Sequence, residues 1–335
     1  MAPGGTKPRL RPGRRLRVWW FQEGAVRLSE LEIIRRIRET FPGGGELVDD
    51  CGALPPPPPG QRILVTTDLM ESGQHFRLDW HPPELLGRKL LMVNLSDLDA
   101  SGAVPTGFTL TLALGRDLQP GWIERFLDGL GRAAAEARVP VIGGDTVGRA
   151  TGLGLGLTAF GTVGRWLRRD ALAAGERIYV DQPLGASLRG LRKLLAGQRW
   201  DPRSPDPDLR AHLDPAPNLG LGARLAAIPG VGACIDISDG LSRDLRNLAE
   251  AAGLSVVLEP GLDPDWVEGG EDYARCFSSA LPLEELQRVL ATTLFPVGWA
   301  TGRAEAPLLH YDGGGLRPFP DRSFDHFAPR STPAS

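Results

Sequence analysis

Aspartate is the residue type in this chain whose spacing could do chemistry. Asp49 and Asp50 stand in LVDDCGAL, Asp68 in VTTDLMESGQHF, Asp97 in VNLSDL, Asp145 in IGGDT, and Asp236 with Asp239 in IDISDG. Each follows or ends an apolar, strand-like run, and in open α/β sheets ligands bind outside the carboxyl ends of strands. Carboxylates that converge repel one another and need cations. Hard oxygen donors with no Cys or His cluster beside them select Mg2+ or Mn2+ over zinc, and Mg2+ takes a few carboxylates together with substrate phosphates. A nucleotide polyphosphate is the natural companion of such a site. One such motif alone is weak, because Asp after Ser is also a good helix N-cap. Their joint occurrence carries the reading.

Other signatures are missing. The lysines are Lys7, Lys89 and Lys193, none of them in G-x-x-x-x-G-K-[ST], and the glycine run at Gly154 has Ala159 where G-x-G-x-x-G ends. No H-E-x-x-H, G-x-S-x-G or Cys/His pairing points to a protease or esterase. Cys51, Cys234 and Cys276 are far apart and form no C-x-x-C, which argues against a disulfide framework or a structural zinc. Lys and Arg total 38 against 41 Asp and Glu, a net charge of −3 that gives no global reason to expect nucleic acid. No apolar run approaches the ~18 residues of a membrane span, so a cytoplasmic protein is expected.

A length of 335 residues suggests two domains. Residues 1–27 read as a flexible basic tail, 28–164 as an N-terminal domain, 165–330 as a C-terminal α/β domain and 331–335 as a second tail. Ser29 is a plausible N-cap ahead of Glu32 for a helix that Pro42 and three glycines end. The run Pro55 to Pro59 reads as a rigid loop between elements. Strands are expected at Arg62 to Thr67, Leu91 to Leu95, Thr109 to Leu114, Pro140 to Ile142, Gly152 to Gly164, Arg177 to Val180 and Cys234 to Ile237. Helices are expected at Pro83 to Lys89, Leu98 to Val104, Trp122 to Ala137, Ser187 to Leu195, Leu241 to Ala252 and Leu283 to Ala291. The Asp- and Pro-rich segment Arg199 to Pro217 reads as an exposed crossover loop. The alternation gives an α/β (α+β) fold class.

The ordered set DDC, TTD followed by G-x-HF, VNLSDL-x-A-x-G, IGGDT, IDISDGL, GGEDY and a terminal DHF resembles the thiamine-monophosphate kinase family, within the aminoimidazole ribonucleotide synthetase-like superfamily. The resemblance runs from Ser29 to Phe327. It implies a two-domain fold, a homodimer whose N-terminal sheets pair into a barrel-like core, and ATP-dependent phosphorylation of thiamine monophosphate to thiamine diphosphate. It also implies several Mg2+ ions. Carried over residue by residue, Asp50, Thr66, Thr67, Asp68, Asp97, Asp145, Asp236 and Asp239 match magnesium ligands. Gly144, Asp145, Arg169 and Ser238 match ATP contacts, and His75, Glu271 and Phe324 match the substrate side. Asp97, Asp145 and Arg169 are the residues expected to carry the transfer.

The chain departs from the family pattern in places. Val48 stands where glycine usually precedes the Asp pair, and Gly52 where alanine is common. His212-Leu213-Asp214-Pro215-Ala216-Pro217-Asn218 lacks both arginines of an Arg-Pro-x-Pro-Arg-like segment. Two alternatives stay open: another ATP-dependent enzyme of the superfamily, or a catalytically weakened nucleotide-binding homologue.

Overall fold

The computed structural model describes residues 28–320, so the expectations for both tails and for Phe324 lie outside the described residues. Helix α1 (Glu30–Thr40) opens with a complete capping box: the Ser29 side chain accepts from Glu32 N–H, and Glu32 reaches back to Ser29 N–H at 2.6 Å. A four-stranded sheet follows, with strands β1 (Arg62–Glu71), β2 (Val104–Gly115), β3 (Val141–Arg149) and β4 (Leu153–Val163) in the order β1-β4-β2-β3. Only the β2–β3 pair is parallel. Helices α2 (Pro83–Ala100) and α3 (Trp122–Ala137) cover one face, where Leu86, Leu90, Phe126 and Leu130 meet Phe108, Leu112 and Leu155.

The second half is a seven-stranded, mostly antiparallel sheet of order β11-β10-β7-β9-β5-β8-β6. Its strands are β5 (Arg177–Val180), β6 (Val231–Asp236), β7 (Ser255–Leu258), β8 (Arg275–Ser279), β9 (Phe295–Thr301), β10 (Leu308–Tyr311) and β11 (Leu316–Pro318). Around it lie α4 (Ala186–Leu195), α5 (Pro207–Leu213), α6 (Leu221–Ala226), α7 (Leu241–Ala252), α8 (Pro264–Glu268) and α9 (Leu283–Leu290). Two sheets with helices give the mixed α/β class expected.

Three expectations fail for identifiable reasons. Leu91 to Leu95 is not a strand but the middle of α2, a single helix from Pro83 to Ala100. Its sequence is apolar on nearly every side because the helix is buried all round, packed against β1, β4, α3 and β6, and so lacks the one-sided stripe that marks a surface helix. Val104, read as the end of a helix, starts β2. The segment Arg199 to Pro217 is not wholly an exposed loop, since Pro207–Leu213 is helical and buries Leu209, His212 and Leu213. Asp206 caps that helix by accepting from the N–H groups of Asp208 and Leu209, and Pro207 at the first helical position costs no hydrogen bond.

Candidate active site

Helix α2 is the axis of the site. Lys89, Ser96 and Asp99 are seven and three residues apart, so they form one polar stripe along an otherwise apolar helix. That stripe faces the second half of the chain. Asp97, turned away from it, faces β1: its Oδ2 accepts a 2.6 Å hydrogen bond from Thr66 Oγ1. Ser96 Oγ donates to Asp236 Oδ2 at 2.6 Å, at the end of β6. The same Ser96 oxygen accepts from Nη1 of Arg275 at 2.8 Å, and Arg275 Nε donates to Asp99 Oδ2 at 2.7 Å. Asp99 is further held by the N–H groups of Gly220 and Gly222 at the start of α6. Arg275, Ser96 and Asp99 are all buried, so this relay fixes both the Asp236 carboxylate and the meeting of the two halves.

Asp97, Asp236 and Thr66 line one cleft of about 780 Å3 together with Trp166, Arg168 and Arg169. Burial and the nearby Asp236 push the Asp97 carboxyl up to about 7, with Asp68 adding to the repulsion and Thr66 and Arg169 opposing it. Asp68 is pushed up to about 6 by burial and by Asp236. Asp68, Asp97 and Asp236 thus feel one another strongly. Arg169, in a single 3-10 turn (Arg169–Ala171), faces this cluster, whereas its neighbour Arg168 is ion-paired with Asp170 and lies 5.1 Å over the Trp166 ring.

The expectation that the aspartates end strands holds only in part. Asp97 lies inside a helix, Asp68 and Asp145 within strands, Asp239 in the loop before α7, and Asp236 does end β6. Nor does one chain bring them all together. Across the sheet Asp68 is level with Leu157, Leu110 and Gly144, while Asp145 is level with Thr111, Gly156 and Leu69. By strand alternation Asp145 and Thr67 therefore project from the face opposite Asp68. Asp50, Gly144 and Asp145 line a separate groove of about 210 Å3 beside α1. Gly52 brings the Asp50 loop there: a Cβ at this position would stand 1.7 Å from the Ile142 carbonyl. Among the described residues no three acidic, His or Cys side chains close round one point as a finished metal shell.

The IDISDG and GGEDY segments interlock. Glu271 N–H bonds to the Ser238 carbonyl at 2.8 Å, and a Cβ on Gly270 would come within 2.7 Å of that oxygen. Asp239 is exposed on this loop, and its own N–H, like that of Ser238, is held by the Asp244 carboxylate. Asp244 and Asp272 were not singled out from sequence. Asp272 accepts from Gly185 and Ser187 N–H at the start of α4. Asp244 follows the positive-φ Gly240 by four residues and Asp272 stands between the positive-φ Glu271 and Tyr273, so only the glycine was a signal the sequence carried. His75, in the loop after β1, accepts the Glu71 N–H on Nδ1 at 3.0 Å, which leaves the ring proton of the neutral imidazole on Nε2. It lies within electrostatic reach of Glu271.

The chain matches the family model for AIR synthase related protein, N-terminal domain, over residues 48–163. It is 36% identical over 247 residues to thiamine-monophosphate kinase of Escherichia coli (strain K12), covering 69% of this chain and 74% of that protein. The crystal structure of thiamine-monophosphate kinase from Stenotrophomonas maltophilia K279a superposes with a TM-score of 0.69 at 31% identity, covering 84% of this chain and 96% of that one. AaThiL complexed with AMPPCP and TMP superposes with a TM-score of 0.70 at 26% identity, covering 92% of this chain and 100% of that one. From the interlocked acidic motifs and this shared identity, the chain belongs to the thiamine-monophosphate kinase family of the AIR synthase-like superfamily.

Proposed function

We propose that this protein transfers the γ-phosphoryl group of ATP directly to thiamine monophosphate, giving thiamine diphosphate and ADP. The observation that carries the reading is the open cleft in which Asp97 and Asp236 meet Thr66 and Arg169 with Asp68 close by. In the transfer a terminal oxygen of the acceptor phosphate bonds to the γ-phosphorus as the bond to the β–γ bridging oxygen breaks. The acceptor phosphate is already mostly ionised near neutral pH, so no side chain has to act as base. The obstacle is the approach of two anions along one line.

The donor set fits Mg2+, because it is all oxygen, open on one side, and made of carboxylates whose burial and mutual repulsion favour a cation between them. We assign Asp68, Asp97 and Asp236 with the Thr66 oxygen, and Asp239 from the loop before α7, to hold it in the cleft, and Thr67, Asp50 and Asp145, which lie on the opposite sheet face and in its groove, to a further Mg2+ on that side. Bound there, Mg2+ supplies neutralisation of the phosphate charge and screening between donor and acceptor. Gly144, Asp145, Arg169 and Ser238 are assigned to ATP. Arg169 has a planar guanidinium free of the Asp170 pairing that engages Arg168, and it suits a bidentate contact to a phosphate. His75 and Glu271 are assigned to thiamine monophosphate, with Phe324 from beyond the described residues.

A homodimer completes the proposal. Ile63, Val65 and Leu69 of β1, Val104 of β2 and Val147 of β3 are exposed, and by alternation they share the sheet face from which Thr67 and Asp145 project. A second copy covering this face would enclose Thr67 and Asp145 at its edge. The test of the function is direct: purified protein with ATP and Mg2+ should convert thiamine monophosphate to thiamine diphosphate, and Asp97→Asn should abolish turnover without unfolding the chain. Use of a different acceptor in place of thiamine monophosphate, or full activity in the Asn variant, would overturn it.

A further inference from the structure

Lys89 is fully buried in α2, an unusual place for an ammonium group. Its Nζ lies 3.0 Å from Glu271 Oε1 and donates to the His212 carbonyl at 2.9 Å. The other carboxylate oxygen, Glu271 Oε2, is 3.1 Å from Nδ1 of His212, on α5. Glu271 itself sits at φ 61°, a left-handed conformation costly for a residue with a Cβ. A strained residue at a fold-over point, gripped through both oxygens by groups from separate elements, is held in place for a purpose. Its side chain remains 31% exposed, and each carboxylate oxygen keeps a lone pair beyond the one engaged.

We propose that Lys89 and His212 are positioning residues that clamp Glu271 across the two halves of the chain, so that its remaining lone pairs accept a hydrogen bond from a donor group on thiamine monophosphate. This rests on Glu271 being on the substrate side. The clamp also governs ionisation: burial alone would raise the Glu271 carboxyl, and Lys89 and His212 bring it below its ordinary value. The groups facing Glu271 are Lys89 from α2, His212 from α5, His75 from the loop after β1, and Asp272 and Tyr273 beside it in sequence. His212 is itself pushed down to about 4 by burial and by Lys89, so at neutral pH Lys89 and not His212 supplies the positive charge that grips the carboxylate.

The experiment is a double-mutant cycle on the full-length enzyme, with Glu271→Gln, Lys89→Met and the pair. Glu271→Gln should raise KM for thiamine monophosphate and leave KM for ATP in place. Lys89→Met should raise the same KM about tenfold, the scale of one charge-assisted contact, with the loss falling on KM more than on kcat. In Lys89→Met that KM should also climb more steeply than in the parent enzyme as pH falls from 8 to 6, because Glu271 has lost the charge that keeps it ionised. The double variant should be no worse than Glu271→Gln, and should recover thermal stability if Lys89→Met alone folds poorly, since no buried charge is left unpaired. Lys89→Arg should rescue in part. A Lys89→Met enzyme with unchanged KM and pH profile, beside a Glu271→Gln enzyme with raised KM, would overturn the clamp alone. An unchanged KM in Glu271→Gln would remove Glu271 from the substrate side and the clamp with it.

Discussion

Replacing Arg275 by Met tests whether the buried relay joins the two halves. Arg275 is wholly inaccessible to solvent and donates through Nε to Asp99, through Nη1 to Ser96 and to the Tyr273 carbonyl. Methionine keeps much of the volume and none of the charge. Breaking a buried pair by removing one partner costs about 3–5 kcal/mol, because the other charge is left uncompensated. Two features place this site at the lower end. The Asp99 carboxylate keeps the Gly220 and Gly222 N–H donors, and Arg275 Nη2 is buried with no hydrogen-bond partner among the described residues, a cost that the substitution removes. A loss near 3 kcal/mol corresponds to a fall in Tm of roughly 6–12 °C for a domain of this size. Thermal melts followed by circular dichroism, with urea titration as a second probe, measure it. A Tm within about 1 °C of the parent, or above it, would refute the view that Arg275 is a net tie between α2 and β8.

The raised carboxyls of Asp68 and Asp97 predict a pH effect on the metal-free protein. Their folded values of about 6 and about 7 stand above the ordinary 3.8, so the stability they contribute is complete below pH 3.8 and is lost as pH rises through 6 to 7. Tm in EDTA should therefore fall between pH 5 and pH 8, and added Mg2+ should restore it most at pH 8; a flat profile would contradict the clustering. Gly222→Ala should destabilise the chain by several kcal/mol, about 3 or more, because its Cβ would stand 1.5 Å from the Asp99 carbonyl, and soluble expression with urea titration reads this. Leu69→Asp, on the exposed sheet face, should give a monomer by sedimentation with its helical content intact, whereas an unaltered dimer would place the contact elsewhere.

Sequence patterns made much of the fold legible where one physical signal dominates. Ser29 with Glu32, Trp122–Ala137 and Leu241–Ala252 are one-sided amphipathic helices with clear ends, and each lies where its pattern predicts. Helix α2 hid because a helix buried all round has no stripe to show. Its polar exceptions, Lys89, Ser96, Asp97 and Asp99, were the available clue, since their spacing fits a helix and not a strand. The site was legible as motifs and not as an arrangement. Asp236, Asp97 and Asp68 come from distant segments that only tertiary contact joins, and the opposite facing of Asp68 and Asp145 is set by strand register, which local sequence does not encode. Arg275 and Lys89 carry no motif of their own; burial in the folded chain is what gives them a role.

The rigidity of α2 has a consequence for how such a chain can vary. Lys89 and Asp97 are eight residues apart on one unbroken helix, a fixed separation of about 12 Å at 1.5 Å per residue. The helix is a ruler between Lys89, which pairs with Glu271, and Asp97 in the carboxylate cluster. Gain or loss of a single residue between those two positions would swing one set of side chains by about 100° relative to the other. Loops around the site can therefore lengthen or shorten over generations, while this stretch must keep its count.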